Sequence, residues 1–267
     1  MPALHGPAQA QAGGEFDLTW IVPGLALLAA GAAVLGWPRL AAQRRPSREG
    51  IEDPAAARAY DRLSRWPQFR LLRRMLVAEL ASQRPAGALV DLGCGPGYLT
   101  FEIARAFPRL VVTGVDISPE MVSAATRHAA ELGLGQRVTF RQGDVRRLPL
   151  KDGSFDFAVS SLSVHHWADP ILALGEIHRI LEPGGWLLLF DLRRDARRAF
   201  YGLLRFAQAV VVPAALRHAG EPIGSLLASY TPVELQAMLA QSPFGECRLK
   251  PGALWVFAWA VKSQPRN

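Results

Sequence analysis

The chain has 267 residues, half of them apolar, and a formal net charge of +7 carried mostly by arginine. That length suits one main domain with appendages and allows a substantial core. The two cysteines, Cys94 and Cys247, lie far apart, which excludes a disulfide framework and a cysteine metal cluster of the usual spacing, and fits a reducing compartment.

Residues 1–17 form a short tail with Glu15 and Asp17 and no lysine or arginine, and Leu18–Pro38 then runs twenty-one residues without a charge. As a helix rising about 1.5 Å per residue, such a stretch spans roughly 30 Å, the thickness of a bilayer core. Trp20 and Trp37 stand at its two ends, and Arg39, Arg44, Arg45 and Arg48 follow it. The pattern predicts a single transmembrane helix over 18–38 with the rest of the chain on the cytoplasmic side. A cleaved signal peptide would need a basic region where the acidic tail stands. A buried core helix is the competing reading, because Ala and Gly fill much of the segment.

Residues 39–54 are polar, basic and proline-bearing, and read as a linker to a domain over 55–267. From Arg39 to Arg84 there are eleven arginines against five acids, and from Arg193 to Arg217 six against one. Such blocks suit anionic surfaces, either nucleic acid or a cytoplasmic leaflet. Helical spacing over 55–82 is broken at Pro67. Then apolar runs of strand length, ALVDLG, LVVTGVD, VTFRQGD, FDFAVSSLS and WLLLFDL, alternate with helical stretches. Ser118–Pro119 and Asp169–Pro170 supply helix starts, with Gly133 and Pro183–Gly184 beyond the corresponding ends. The alternation predicts an α/β fold with a mostly parallel sheet covered by helices on both faces, and ligands beyond the carboxyl ends of its strands.

DLGCGPG, residues 91–97, follows the first strand. A dinucleotide fingerprint needs a third glycine further on, and a phosphate-binding P-loop needs a lysine and a hydroxyl where Tyr98 and Leu99 stand. A tight strand-to-helix turn with no ligand is the plain alternative.

The spacing VDLGCGPG resembles the first motif of the class I S-adenosylmethionine-dependent methyltransferases. SFDFAVSSLSVHHWADP and ALGEIHRILEPGGWLLLFD resemble the fourth- and fifth-strand region of their ubiquinone-biosynthesis-like (type 11) superfamily, over roughly residues 85–192. The resemblance implies a Rossmann-like seven-stranded sheet, S-adenosyl-L-methionine as cofactor and no metal. It assigns Asp91, Gly93, Cys94, Gly95 and Gly97 to the turn beneath the methionine part, and Asp116 to the ribose hydroxyls. Asp144 goes to the adenine amino group, Val145 to the ring, and Ser160 to the same binding set. Ile117 and Met121 are either neighbours of the adenine or ordinary packing residues. Carboxylates at strand ends suit a sulfonium, and exposed N–H groups after Gly95 suit the cofactor's carboxylate.

His165 and His166, after the fourth strand, are the candidate proton acceptors if the methyl-accepting atom must lose a proton; otherwise they shape the loop. Tyr60, Tyr98 and Trp167 are candidate pocket walls. SLSVHHW replaces the Y-G-L-R-N-V-like stretch of quinone C-methyltransferases, two distant cysteines do not make an arsenite site, and the Asn-Pro-Pro-Tyr signature of amino-methylating DNA enzymes is absent. A lid insertion is expected over about 193–230, where arginines accompany an apolar body, either as a membrane-interface helix or as a buried lid. Thr231 and Glu234 form a capping box for the last helix, and two antiparallel strands end the domain. The expected activity is methyl transfer to a lipid-like or amphipathic small molecule at the cytoplasmic membrane face, without a nucleic-acid partner. An RNA or protein methyltransferase and a non-catalytic cofactor-binding module are the alternatives.

Overall fold

The computed structural model describes residues 36–47, 50–51, 53–218 and 220–264. The chain divides into two units, Met1–Pro38 and Arg39–Asn267. Only Gly36–Pro38 of the first are described, so the expected transmembrane helix lies almost wholly outside the described residues. Among those that are described, no helix is long and apolar enough to cross a membrane.

The second unit opens with α1 (Pro54–Ser64) and α2 (Pro67–Ala81), then alternates. In order come β1 (Gly87–Leu92), α3 (Tyr98–Ala106), β2 (Leu110–Asp116), α4 (Pro119–Glu131), β3 (Val138–Gln142), β4 (Phe155–Ser161), α5 (Pro170–Ile180) and β5 (Leu181–Leu192). Three helices follow, α6 (Arg198–Val210), α7 (Ala214–His218) and α8 (Ile223–Ala228), then α9 (Pro232–Ala240), β6 (Cys247–Pro251) and β7 (Trp255–Val261). The seven strands form one sheet in the order β3-β2-β1-β4-β5-β7-β6. β7 alone runs antiparallel to its two neighbours, β5 and β6. The order reverses between β1 and β4, which opens a crevice at the carboxyl ends of both.

Local chemistry sets the helix ends. The side chains of Ser118 and Asp169 accept the N–H groups of Met121 and Leu172, each before a proline at the first helical position. Thr231 and Glu234 close the capping box on α9. β5 begins at Leu181, earlier than the WLLLFDL run, because Leu181 pairs with Phe155 before a shift in register. The sheet buries an apolar cluster on each face: Ile177, Ile180, Leu187 and Leu239 on one, Leu76, Leu80, Phe101, Ile103 and Phe190 on the other. Each fully buried side chain of this size contributes about 1.5–3 kcal/mol.

The stretch read as a linker is docked over its described part. Leu40 N–H donates to Ala196 O at 2.9 Å and Arg45 N–H to Leu227 O at 3.0 Å. Arg44 Nε donates to Ala228 O at 2.7 Å, and the buried Arg194 reaches back to Ala42 O at 2.8 Å. Each such bond contributes about 0.5–1.5 kcal/mol net, so residues 39–47 form a strap along the 193–230 insertion.

Candidate functional site

The glycine turn sits where β1 ends. Gly93, Gly95 and Gly97 have φ of 69°, 53° and 85°. A Cβ on Gly93 would collide with the Ser163 side chain, and one on Gly97 would lie 2.8 Å from Phe101 and 2.9 Å from Phe140. The turn therefore lets the loop after β4 and the ring of Phe140 approach the backbone directly.

A cavity of about 120 Å³ opens above this turn. Its floor is Leu92, Gly93, Gly95 and Val115, its carboxylate is Asp116, and its apolar wall includes Ile117, Met121 and Val145. His166 and Trp167 close the β4 side, and Gly50 and Ile51 close the top. A second space of about 60 Å³ adjoins it, sharing Tyr60, Gly93, Gly95 and Leu162 and adding Asp91, Cys94, Tyr98 and Arg73. A larger open groove of about 800 Å³ lies by Ala88 and Phe155, at the starts of β1 and β4. It is at the end of the sheet where this architecture does not gather ligands.

Asp116 accepts the N–H groups of Gly95 at 2.8 Å and Ser118 at 2.9 Å. Burial raises its pKa, and these backbone donors oppose the rise. Asp91 is buried and accepts Thr100 Oγ1–H at 2.6 Å; burial lifts its pKa to about 7, with the charge of Asp116 adding to the shift. Burial also pushes the Cys94 thiol well up and Tyr60 to about 12, so both stay neutral. Two costly carboxyl groups stacked at one bare turn favour a cationic ligand.

Three residues of the expected cofactor set, Gly97, Asp144 and Ser160, line neither space. Asp144 is drawn aside by Arg146, whose Nη2 donates to Oδ2 at 2.6 Å and holds the carboxyl below its usual range. Ser160 is fully buried and spends its hydroxyl on Leu92 O at 2.9 Å, tying β4 to β1. The flanking Gly143 and Val145 do line the cavity.

The histidines are not equivalent. His166 lines the cavity, and its Nδ1 lies 2.7 Å from Ser47 Oγ. His165 points into the protein, with Nδ1 2.7 Å from Asp191 Oδ1 and its own N–H donating to Oδ2 at 3.1 Å. The two rings are in contact, tilted by 46° with centroids 4.1 Å apart. His165 Nε2 is the one buried side-chain polar atom among the described residues without a hydrogen-bond partner.

Several site residues were missed from sequence. Arg73, buried, donates from Nε to Glu102 Oε1 and from Nη1 to Ser64 O, both at 2.7 Å, and brings a cation to the smaller space. Its helix carries two other arginines, Arg70 and Arg74, so spacing gave no signal. Ser47 of the strap, and Gly50 and Ile51 after it in the sequence, reach the site from far away in the chain, and Ser118 Oγ–H donates to Ile51 O at 3.0 Å.

Residues 90–189 match a family described as a methyltransferase domain. The chain is 31% identical to the demethylmenaquinone methyltransferase of Thermus thermophilus, over 67% of its own length and 88% of that protein. It is 33% identical to the biotin biosynthesis bifunctional protein BioHC of Teredinibacter turnerae, over 58% of its own length but only 28% of that longer protein. The fold is similar to the crystal structure of a SAM-dependent methyltransferase from Aquifex aeolicus, with a TM-score of 0.57 and 19% identity over 79% of this chain and 100% of that one. The sheet order, the three-glycine turn with its two carboxyl groups and these likenesses together place the chain in the class I S-adenosylmethionine-dependent methyltransferases, in the ubiquinone-biosynthesis-like superfamily.

Proposed function

We propose that the chain transfers a methyl group from S-adenosyl-L-methionine to a lipid-like or amphipathic small molecule at the cytoplasmic face of a membrane. The observation that carries this reading is the top of the cavity: the strap that follows the apolar Leu18–Pro38 run supplies Ser47 against His166, and Gly50 and Ile51, soon after it in the sequence, lie over the turn. An acceptor entering there meets apolar walls and a single imidazole.

The donor set fits the cofactor. In this reading Asp116 takes the ribose hydroxyls, Ile117, Met121 and Val145 take the adenine, and Arg73 with the backbone after Gly95 takes the carboxylate; the support is that all of them line the two adjoining spaces. When bound, S-adenosyl-L-methionine supplies an electrophilic methyl group on a sulfonium. The protein's part is to align the acceptor, exclude water with Trp167 and the strap, and take up a proton where the acceptor loses one. His166 is the residue at the cavity that can take it, and the Asp191-bound His165 packs behind its ring.

The test is incubation of the full chain with methyl-labelled cofactor and a fractionated membrane extract. Label in the lipid or amphipathic small-molecule fraction is the expected result. Label confined to RNA or protein would overturn the acceptor class.

A further inference from the structure

The insertion after β5 holds a helix unlike the others described. α6 has no buried residue. Leu203, Phe206 and Val210 are 61%, 64% and 62% exposed, and Val211 beyond them is 49% exposed. At spacings of three and four residues, the first three form one row on the solvent face of a helix. Arg198 and Arg205 are also exposed, on a line separated from that row by the exposed Gly202 and Ala209, while Phe200, Leu204 and Ala207 are half-buried. The nearby acid, Asp195, is held by Arg193 at 2.7 Å.

We propose that α6 lies in the interface of an anionic membrane, with Leu203, Phe206 and Val210 among the acyl chains and Arg198 and Arg205 at the phosphates. Two observations select lipid as the occupant of this face. The first is charge: an exposed apolar row with exposed arginines on the same helix matches the boundary between acyl chains and anionic headgroups, where each basic side chain near the surface adds to binding. The second is chain continuity: the apolar run ends at Pro38, and the next residue, Arg39, bridges to Arg197 and donates from Nη1 to Asp195 O at the start of α6. The chain that carries the apolar run thus continues, from Arg39, alongside the first turn of this helix.

The inference deepens the membrane-face part of the proposed function and rests on it. Its test uses the full chain with Cys247→Ser and a nitroxide label on Phe206→Cys, reconstituted in phosphatidylglycerol vesicles. Oxygen and a water-soluble nickel complex serve as collision probes. A second label on Val233→Cys, which replaces the 77% exposed Val233 on α9, reports an aqueous apolar position. The expected result is a several-fold higher ratio of oxygen to nickel collisions at 206 than at 233, with labels at 203 and 210 matching 206 and one at 202 lower. In phosphatidylcholine vesicles the ratio at 206 falls. Equal ratios at 206 and 233 on vesicle-bound protein would overturn the inference and leave the membrane location standing. A label at 206 shielded from both probes would overturn it in favour of a protein occupant, a second copy or the chain's own apolar segment. Failure of the full chain to partition with vesicles would overturn both.

Discussion

Asp191 holds both the backbone N–H and the ring Nδ1 of His165, at 3.1 and 2.7 Å, in a site where both residues are almost completely buried. One carboxylate thus fixes the loop that carries His166. Asp191→Ala leaves these donors without a partner, and each buried donor so stranded costs about 1–3 kcal/mol. The expected outcome is a clear fall in melting temperature, with Asp191→Asn retaining more of it, measured by calorimetry.

His166→Ala separates proton transfer from binding. Cofactor affinity should stay within about twofold, while turnover of an acceptor that must lose a proton falls by about 100-fold or more, the scale of general-base assistance. Calorimetric titration and single-turnover kinetics on the same protein check the two halves. An unchanged rate would assign the histidine to loop shape.

Asp91 makes stability depend on pH in a definite direction. Its pKa rises from 3.8 to about 7 on folding, so the folded state holds a proton that the unfolded chain has released. Stability of the ligand-free protein therefore falls as pH rises from about 4 to about 7 through this group, and is flat above. Cofactor affinity should climb over the same window, since the sulfonium favours the ionised carboxyl. In Asp91→Asn the slope in melting temperature across this range flattens and cofactor affinity drops by at least tenfold.

Gly93→Ala and Gly133→Ala form a matched pair. Both positions have positive φ, 69° and 66°, but a Cβ on Gly133 meets open space while one on Gly93 collides with Ser163. Gly133→Ala should cost about 1–2 kcal/mol, the backbone penalty alone. Gly93→Ala should cost more and abolish cofactor binding. Equal losses in thermal and binding measurements would deny the turn its special role.

Arg73→Met probes the carboxylate end. Affinity for S-adenosyl-L-methionine should weaken about tenfold, in the range for a charged hydrogen bond. Binding of methylthioadenosine, which lacks the carboxylate, should be almost unchanged. Loss of both in titration would mean that Arg73 supports the fold through Glu102 and Ser64.

The sheet was readable because its signals are local: apolar runs, capping residues and a glycine turn each act within a few neighbours. Asp91 and Asp116 were readable for the same reason, as residues ending strands. Asp144 lies off the cavity because Arg146, two residues on, offers its carboxyl a nearer cation. Ser160 gives its hydroxyl to Leu92 O, and alternation along a strand does not say which hydroxyl a neighbouring strand will claim. Ser47 meets His166 across 119 residues, and Arg73 meets Glu102 between two helices. No periodicity encodes such meetings. The apolar row of α6 was visible as composition, but only its exposure separated an outward face from a buried lid.

Because Ser47 meets His166 and Gly50 and Ile51 close the top of the cavity, the place where a shortened protein begins decides what its behaviour means. A version starting at residue 51 would lack Ser47 and Gly50 as well as the apolar segment, and its inactivity would say nothing about lipid. One starting at Arg39 keeps all three residues and removes only what precedes it, so that start is the one from which a membrane requirement can be judged.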